Sequence, residues 1–146
     1  MASKTKNPST TRSLPIALLR ARERVMWPIR GMLADAGVTE QQWRVLRVLD
    51  EEGAMDPTSI AERAVLLLPS LTRILQKLED KGFVTRERDE ADRRRQIIRV
   101  TEAGRNVIVA NMDTSRRILT DLKERLGEER HDVLIELLND LTALDD

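Results

Sequence analysis

The chain has 146 residues, enough for one domain, with 40% hydrophobic and 34% charged residues and a formal net charge of +0. It has no cysteine and one histidine, which excludes disulfides, thiolate metal sites and a histidine-rich metal site. The sequence contains neither a run of about 18 apolar residues nor a signal peptide, so we expect a cytoplasmic protein without a membrane partner.

The zero net charge conceals a segregation of charge along the chain. Residues 1–47 carry nine Lys and Arg against three acids, whereas residues 121–146 carry nine acids against three bases. A neutral total would ordinarily argue against a nucleic-acid partner. Because the charges are separated, a positive surface for DNA can coexist with that total.

The first part of the chain is predicted to be an arm followed by two helices. Residues 1–13 are rich in Ser, Thr and Lys and predict a disordered arm. Residues 14–36 present a broad apolar surface and predict the first helix, which Pro28 should bend. Thr39 and Gln42 have the spacing of a capping box, which predicts the start of a second helix.

The middle of the chain has the pattern of a short helix, a turn and a second helix. Residues 57–64 predict the short helix, and Leu66, Leu67 and Leu68 form the apolar turn. The following helix starts at Pro69, and its apolar residues recur at helical spacing. Its other face offers hydroxyls and long donors without an acid before Glu79, which suits phosphates and base edges.

We therefore predict DNA contacts from this donor face of the helix. Arg73 and Gln76 are expected to read base edges. Ser70, Thr72 and Lys77 are expected to contact phosphates. The alternative for all five residues is a solvated helix face that binds nothing.

A predicted hairpin follows this helix. Residues 83–88 and 96–101 read as two strands, joined by the polar tip D-E-A-D-R-R-R, and Met55 is a candidate for a short edge strand. Two helices and a hairpin with a basic tip predict a winged helix-turn-helix, in a fold that is mainly α (α+β). In such folds the second helix enters the major groove, and a wing arginine can enter the minor groove.

The C-terminal part predicts two more helices. Thr101 is a good N-cap for a long helix, Gly127 interrupts it, and a last helix covers about residues 129–144. The apolar stripe of the last helix is too wide to be covered by one short neighbour. Since a DNA-binding protein with one recognition helix gains affinity by pairing, we predict a homodimer.

These elements predict a single domain over residues 14–146. Residues 38–101 would form the winged DNA-binding module, and residues 14–36 and 102–146 would form the dimerisation helices. An interface of this kind is expected to bury well over about 2,000 Å², as obligate dimers do.

The run from Asp92 to Gly104, D-R-R-R-Q-I-I-R-V-T-E-A-G, resembles the wing signature D-x-R-x-x-x-x-x-[LV]-T-x-x-G of MarR-type regulators. Further runs, A-L-L-R-A-R-E, T-E-Q-Q-W-R-V and P-S-L-T-R-I-L, resemble the regulators of homoprotocatechuate-degradation operons within that family. The resemblance implies a dimeric winged fold in which Arg94 enters the minor groove and Asp92 orients it. Arg93 and Arg95 are expected to contact phosphates; the alternative for this tip is a flexible charged turn.

An effector site is predicted where arginines lie near an aromatic or thioether side chain. Arg47 lies one helical turn from Trp43, and Arg22 lies near Met26. This combination suits a small aromatic carboxylate. The resemblance implies a ligand of the hydroxyphenylacetate type between the dimer helices and the winged module. The alternative is that all four residues are structural, with Trp43 as a core anchor.

Together these patterns predict a ligand-responsive repressor that binds a pseudo-palindromic operator in double-stranded DNA. An enzyme is not expected and no cofactor is expected, because the sequence contains no catalytic set and no cofactor motif. Two alternatives remain, a ligand-independent or architectural DNA-binding protein and a winged-helix protein-interaction module. The second is disfavoured because the donor face lacks acids and large apolar residues.

Overall fold

The computed structural model describes residues 9–146, which contain six helices and one two-stranded hairpin. The helices are α1 Leu14–Ala36, α2 Glu40–Glu52, α3 Pro57–Ala64, α4 Leu68–Asp80, α5 Glu102–Leu126 and α6 Glu128–Thr142, and the strands are β1 Val84–Arg88 and β2 Gln96–Val100. The predicted fold class, mainly α with a winged helix-turn-helix, is confirmed. Residues 1–8 of the predicted arm lie outside the described residues, and the Arg12 N–H donates to the Ser9 carbonyl in a turn just before α1.

The chain forms two compact units. The central unit is Met32–Arg117, and the terminal unit is the chain up to Gly31 together with Ile118–Asp146. The two long helices, α1 and α5, therefore each contribute to both units. The predicted winged module, residues 38–101, lies inside the central unit.

Local signals in the sequence fix where the helices of the central unit begin. The Thr39 hydroxyl accepts from the Gln42 N–H at 3.1 Å, and the Gln42 side chain accepts from the Thr39 N–H at 3.1 Å, which completes the predicted capping box. The Thr101 hydroxyl accepts from the Gly104 N–H at 3.1 Å and donates to the Gly82 carbonyl at 2.6 Å. Thr101 thus joins the start of α5 to the turn that follows α4.

The core of the central unit lies between helices α2 to α4 and the hairpin. Each of these elements, and the start of α5, contributes fully buried apolar side chains, namely Val45, Leu46, Leu49, Ile60, Leu71, Leu75, Leu78, Val84, Ile98 and Ile108. Because α4 buries three leucines on one face, its opposite face is left exposed.

The hairpin is antiparallel, with Val84 opposite Val100 and Arg88 opposite Gln96. Met55 pairs with Ile98 through two backbone hydrogen bonds of 3.2 and 2.9 Å, which confirms the predicted edge position. Each strand is one residue shorter at the helix side than predicted, because the turn residues Phe83 and Thr101 lie beyond the regular ladder.

The terminal unit leaves many apolar side chains exposed. In α6 no residue is buried, and the helix runs one residue earlier at its start and two residues earlier at its end than predicted. The exposed large apolar residues of this unit include Leu14, Leu18, Leu19, Val133, Leu134, Ile135, Leu137, Leu141 and Leu144. No helix within residues 9–146 is long and apolar enough to cross a membrane.

Candidate nucleic-acid interface

The outer face of α4 carries the five predicted DNA-contacting side chains, and all of them are exposed. They are Ser70, Thr72, Arg73, Gln76 and Lys77. Within the described part of the chain, the Arg73 side chain has no hydrogen-bond or ion-pair partner. The Arg73 guanidinium is therefore available to an external acceptor, as its predicted role in base reading requires.

Gln76 lies on the side of α4 that faces the wing. Its side-chain oxygen accepts from Arg86 Nη2 at 2.7 Å, and its side-chain nitrogen donates to Asp80 Oδ1 at 3.0 Å. The two contacts fix the orientation of the amide. One lone pair of the oxygen and one N–H remain for a base edge, which is the pairing that a glutamine makes with adenine.

Arg86 is a residue of this face that the sequence analysis did not identify. It lies on β1 and makes two hydrogen bonds to Glu79 of α4, which lower the pKa of the Glu79 carboxyl and raise that of Arg86. The pair neutralises an acid next to the donor face. The available signal was an arginine near the start of the strand, seven positions after Glu79, but sequence spacing alone does not place the two side chains together.

The wing presents Arg94 outward. Its side chain is 92% exposed, and Asp92 Oδ1 accepts both from the Arg94 backbone N–H at 3.1 Å and from Arg94 Nε at 3.2 Å. The Asp92–Arg94 contact has the geometry expected of an orienting pair. Whether Arg94 enters a minor groove stays a prediction.

The other two arginines of the tip are held differently. The Arg93 carbonyl accepts from Arg88 Nη1 at 2.8 Å, so Arg93 shapes the tip through its backbone. Arg95 Nη2 donates to Asp56 Oδ1 at 3.0 Å. The Arg95 side chain thus reaches the start of α3, although we expected it to contact phosphates.

A cleft of about 790 Å³ lies between the start of α3, the helix α4 and the wing. Its lining includes Thr58 of α3, Thr72 of α4, and Arg88 and Arg94 of the hairpin. The donor face of α4 and the arginine-bearing wing therefore open onto the same side of the central unit. If α4 lay in a major groove and the wing in the neighbouring minor groove, the sugar-phosphate backbone between the two grooves would pass between α4 and the wing.

The predicted effector residues are divided between the two units. In the central unit, Trp43 is 8% exposed and belongs to the core, and Arg47 Nη1 donates to the Met112 sulfur at 3.4 Å. In the terminal unit, Arg22 is exposed and Met26 is half-buried. The burial of Trp43 agrees with the core-anchor alternative and also suits a pocket wall, so the ligand roles stay predictions. Among residues 9–146, no group of His, Cys, Asp and Glu side chains could hold a metal ion.

Comparison of the sequence and the fold with known proteins agrees with a winged helix-turn-helix. The MarR family profile matches residues 38–95. The homoprotocatechuate degradative operon repressor of Escherichia coli is 36% identical over 132 residues, which cover 90% of this chain and 89% of that protein. The structure of NadR in complex with 4-hydroxyphenylacetate is 34% identical, with a TM-score of 0.80 and coverage of 99% and 100%. The repressor CouR, bound to a 23-mer DNA duplex, is 28% identical, with a TM-score of 0.80 and coverage of 96% and 99%.

Proposed function

Because this chain belongs to the MarR family of transcriptional regulators, we propose that it is a dimeric repressor that binds a pseudo-palindromic operator and releases it when a small aromatic acid binds. One observation carries the DNA part of the proposal: Thr72 of α4 and Arg94 of the wing line one cleft. A helix and a wing that open onto the same side can contact successive grooves of one duplex. With operator DNA as its partner, the protein is proposed to act in the cytoplasm.

The donor face supplies the contacts in the major groove. Arg73 and Gln76 read base edges, and Ser70, Thr72 and Lys77 contact phosphates. Arg94, oriented by Asp92, enters the neighbouring minor groove, where the negative potential attracts a guanidinium. The complex of the repressor CouR with a DNA duplex supports a DNA partner, since CouR is 28% identical to this chain.

The exposed apolar residues of the terminal unit support a homodimer. The start of α1 and the whole of α6 expose leucines, a valine and an isoleucine that a monomer in water would leave uncovered. An isologous interface between two copies would cover them and would fix two recognition helices about one helical turn of DNA apart. Each subunit then reads one half of the operator.

An aromatic acid is the effector class that the comparisons favour. NadR, 34% identical to this chain, was solved with 4-hydroxyphenylacetate, and the Escherichia coli relative is named for a homoprotocatechuate operon. Trp43 and Arg47 are the central-unit residues that we assign to the ring and carboxylate of such a ligand. Arg22 and Met26, in the terminal unit, stay predictions from the sequence.

The effector must prefer the state that does not bind DNA. A ligand of equal affinity for both states would leave the equilibrium between them unchanged. A coupling free energy of about 1–3 kcal/mol would lower operator affinity about 5- to 150-fold.

Selection of DNA from a random pool, repeated with 4-hydroxyphenylacetate and 3,4-dihydroxyphenylacetate, tests this function. The expected result is a pseudo-palindrome whose affinity falls when an acid is added. Enrichment that no aromatic acid changes would favour the ligand-independent alternative. A pool without enrichment would overturn the DNA assignment and favour a protein-interaction module.

A further inference from the structure

Asp56 makes contacts with two parts of the molecule at once. It is the N-cap of α3, where Oδ2 accepts from the Ser59 N–H at 3.2 Å and Oδ1 accepts from the Ser59 hydroxyl at 2.7 Å. The same Oδ1 accepts from Arg95 Nη2 at 3.0 Å, across 39 positions of the chain. The Asp56 side chain is only 18% exposed and that of Arg95 is 52% exposed, so the contact is partly shielded from water.

The backbone of Arg95 closes the tip of the wing. Its N–H donates to the Asp92 carbonyl at 2.9 Å, and its carbonyl accepts from the Asp89 N–H at 2.9 Å. Asp92 in turn holds the backbone and the guanidinium of Arg94. A displacement of Arg95 is therefore passed directly to Arg94 through a short, internally bonded loop.

The hairpin is attached beside α3 at two neighbouring points. Met55 pairs with Ile98 through the backbone, and the next residue, Asp56, holds Arg95. Ile98 and Arg95 are three positions apart, about 10 Å along an extended strand. Buried Val84 and Ile98 and the Arg86–Glu79 pair hold the base of the hairpin, so the contact at Arg95 adds a hold at its tip.

We propose that Asp56 and Arg95 are positioning residues that set the angle of the wing relative to α3 and α4. In this arrangement Arg95 acts through Arg94 and does not contact a phosphate itself. The inference rests on the proposed function, since the angle of the wing matters only if the wing binds DNA.

The substitution Asp56→Asn separates the positioning role of Asp56 from its role as a helix cap, because asparagine is as good an N-cap as aspartate. If Arg95 contacted a phosphate, removing a negative charge beside it would leave operator affinity unchanged or raise it. The positioning role predicts the opposite sign. Affinity should fall about three- to fivefold, the range expected for loss of a partly exposed ion pair. Asp56→Ser, which also keeps a capping oxygen, should act in the same direction.

Double variants test whether the effect of Asp56→Asn on affinity passes through Arg95 and Arg94. In an Arg94→Ala background, Asp56→Asn should have no further effect on affinity, because the side chain that the wing angle places in the minor groove is then absent. The double variant Asp56→Asn/Arg95→Met should bind no more weakly than Arg95→Met alone. Independent, additive losses in either pair would overturn the proposal.

Asp50→Asn provides a matched control. Asp50 of α2 pairs with Arg105 of α5 at 3.2 Å, with side-chain exposures of 25% and 57%, and the pair does not involve the wing. The Asp50→Asn variant should keep wild-type affinity for the operator. Thermal melts of all variants check that they are folded. Wild-type protein that binds no DNA would overturn the proposed function, whereas tight wild-type binding with an unchanged or improved Asp56→Asn affinity would overturn this inference alone.

Discussion

Arg86 of β1 contacts both carboxylate oxygens of Glu79 on α4, with Nε 3.1 Å from Oε2 and Nη2 2.9 Å from Oε1. The same Nη2 lies 2.7 Å from the side-chain oxygen of Gln76. A single guanidinium therefore joins the strand to α4, neutralises an acid and orients an amide that faces outward. We regard this contact as a condition for the base reading proposed for Gln76.

Arg86→Met should relax the sequence selectivity of the protein. The substitution leaves Glu79 uncompensated and frees the Gln76 amide to rotate, so affinity for the operator should fall about tenfold while affinity for unrelated DNA falls less. Binding to the operator and to its single base-pair variants measures the change. Arg99→Met is the matched control, because Arg99 lies on β2 with its side chain on the opposite face of the hairpin and pairs with Glu87 at 4.0 Å. Equal losses in the two variants would contradict the role of Arg86.

Gly104→Ala should destabilise the central unit. A Cβ at this position would lie 2.3 Å from the Phe83 carbonyl oxygen and 2.9 Å from a methyl carbon of Val100. The carbonyl belongs to the backbone and accepts from the Thr101 N–H, so it has little freedom to move. Overpacking of this kind typically costs about 1–3 kcal/mol.

Urea denaturation measures this cost as the free energy of unfolding. Gly31→Ala, inside α1, serves as the control, since an added Cβ there meets no atom within 4 Å apart from its chain neighbours and the nearby backbone of α1 itself. That change should stabilise the helix by up to about 1 kcal/mol. A Gly104→Ala variant as stable as the wild type would show that the close approach to Phe83 is absent.

The stability contributed by Asp56 should depend on pH. Hydrogen bonds from the Ser59 hydroxyl and then from Arg95 lower the pKa of Asp56 from 3.8 to about 2. Because the folded pKa lies below the unfolded one, the stabilisation is complete above about pH 4 and is lost as pH falls towards 2. The free energy of unfolding of the wild type should exceed that of Asp56→Asn by about 1–2 kcal/mol at pH 7.

A pH series of urea denaturation curves from pH 7 to pH 3 tests this dependence. The difference between wild type and Asp56→Asn should be constant down to about pH 4 and should shrink below it. A difference that stays constant over the whole range would contradict a lowered pKa at Asp56.

Leu137→Glu on α6 should convert the proposed dimer into a monomer. Leu137 is exposed in the chain alone, and a carboxylate buried at an apolar interface between two copies would lack a partner. Sedimentation velocity at micromolar concentration measures the change. Leu67→Glu, which alters an exposed leucine in the turn before α4, should leave the protein dimeric. A Leu137→Glu variant that sediments like the wild type would remove α6 from the interface.

The sequence was sufficient to predict most of the helix boundaries, because they depend on local signals. The capping box at Thr39, the N-cap at Thr101 and the glycine at position 127 each act within a few residues. Such features depend on spacing along the chain, which a sequence displays directly.

The side-chain pairs that join distant parts of the chain at the candidate interface were beyond prediction from the sequence. Arg86 meets Glu79, and Arg95 meets Asp56, only after the hairpin has folded back against the helices. For the same reason Arg95 was expected at a phosphate, although the structure places its guanidinium at the start of α3. The effector residues are ambiguous for a different reason: burial of Trp43 suits a core anchor and a pocket wall equally well.

The salt dependence of operator affinity, measured for the wild type, Arg94→Ala and Arg73→Ala, tests the central claim that α4 and the wing together bind one duplex. Arg94→Ala should weaken binding to all sequences and lower the salt slope by about 1 for each subunit. Arg73→Ala should weaken binding to the operator about tenfold or more, with little effect on unrelated DNA. Wild-type affinity and slope in both variants would contradict the claim.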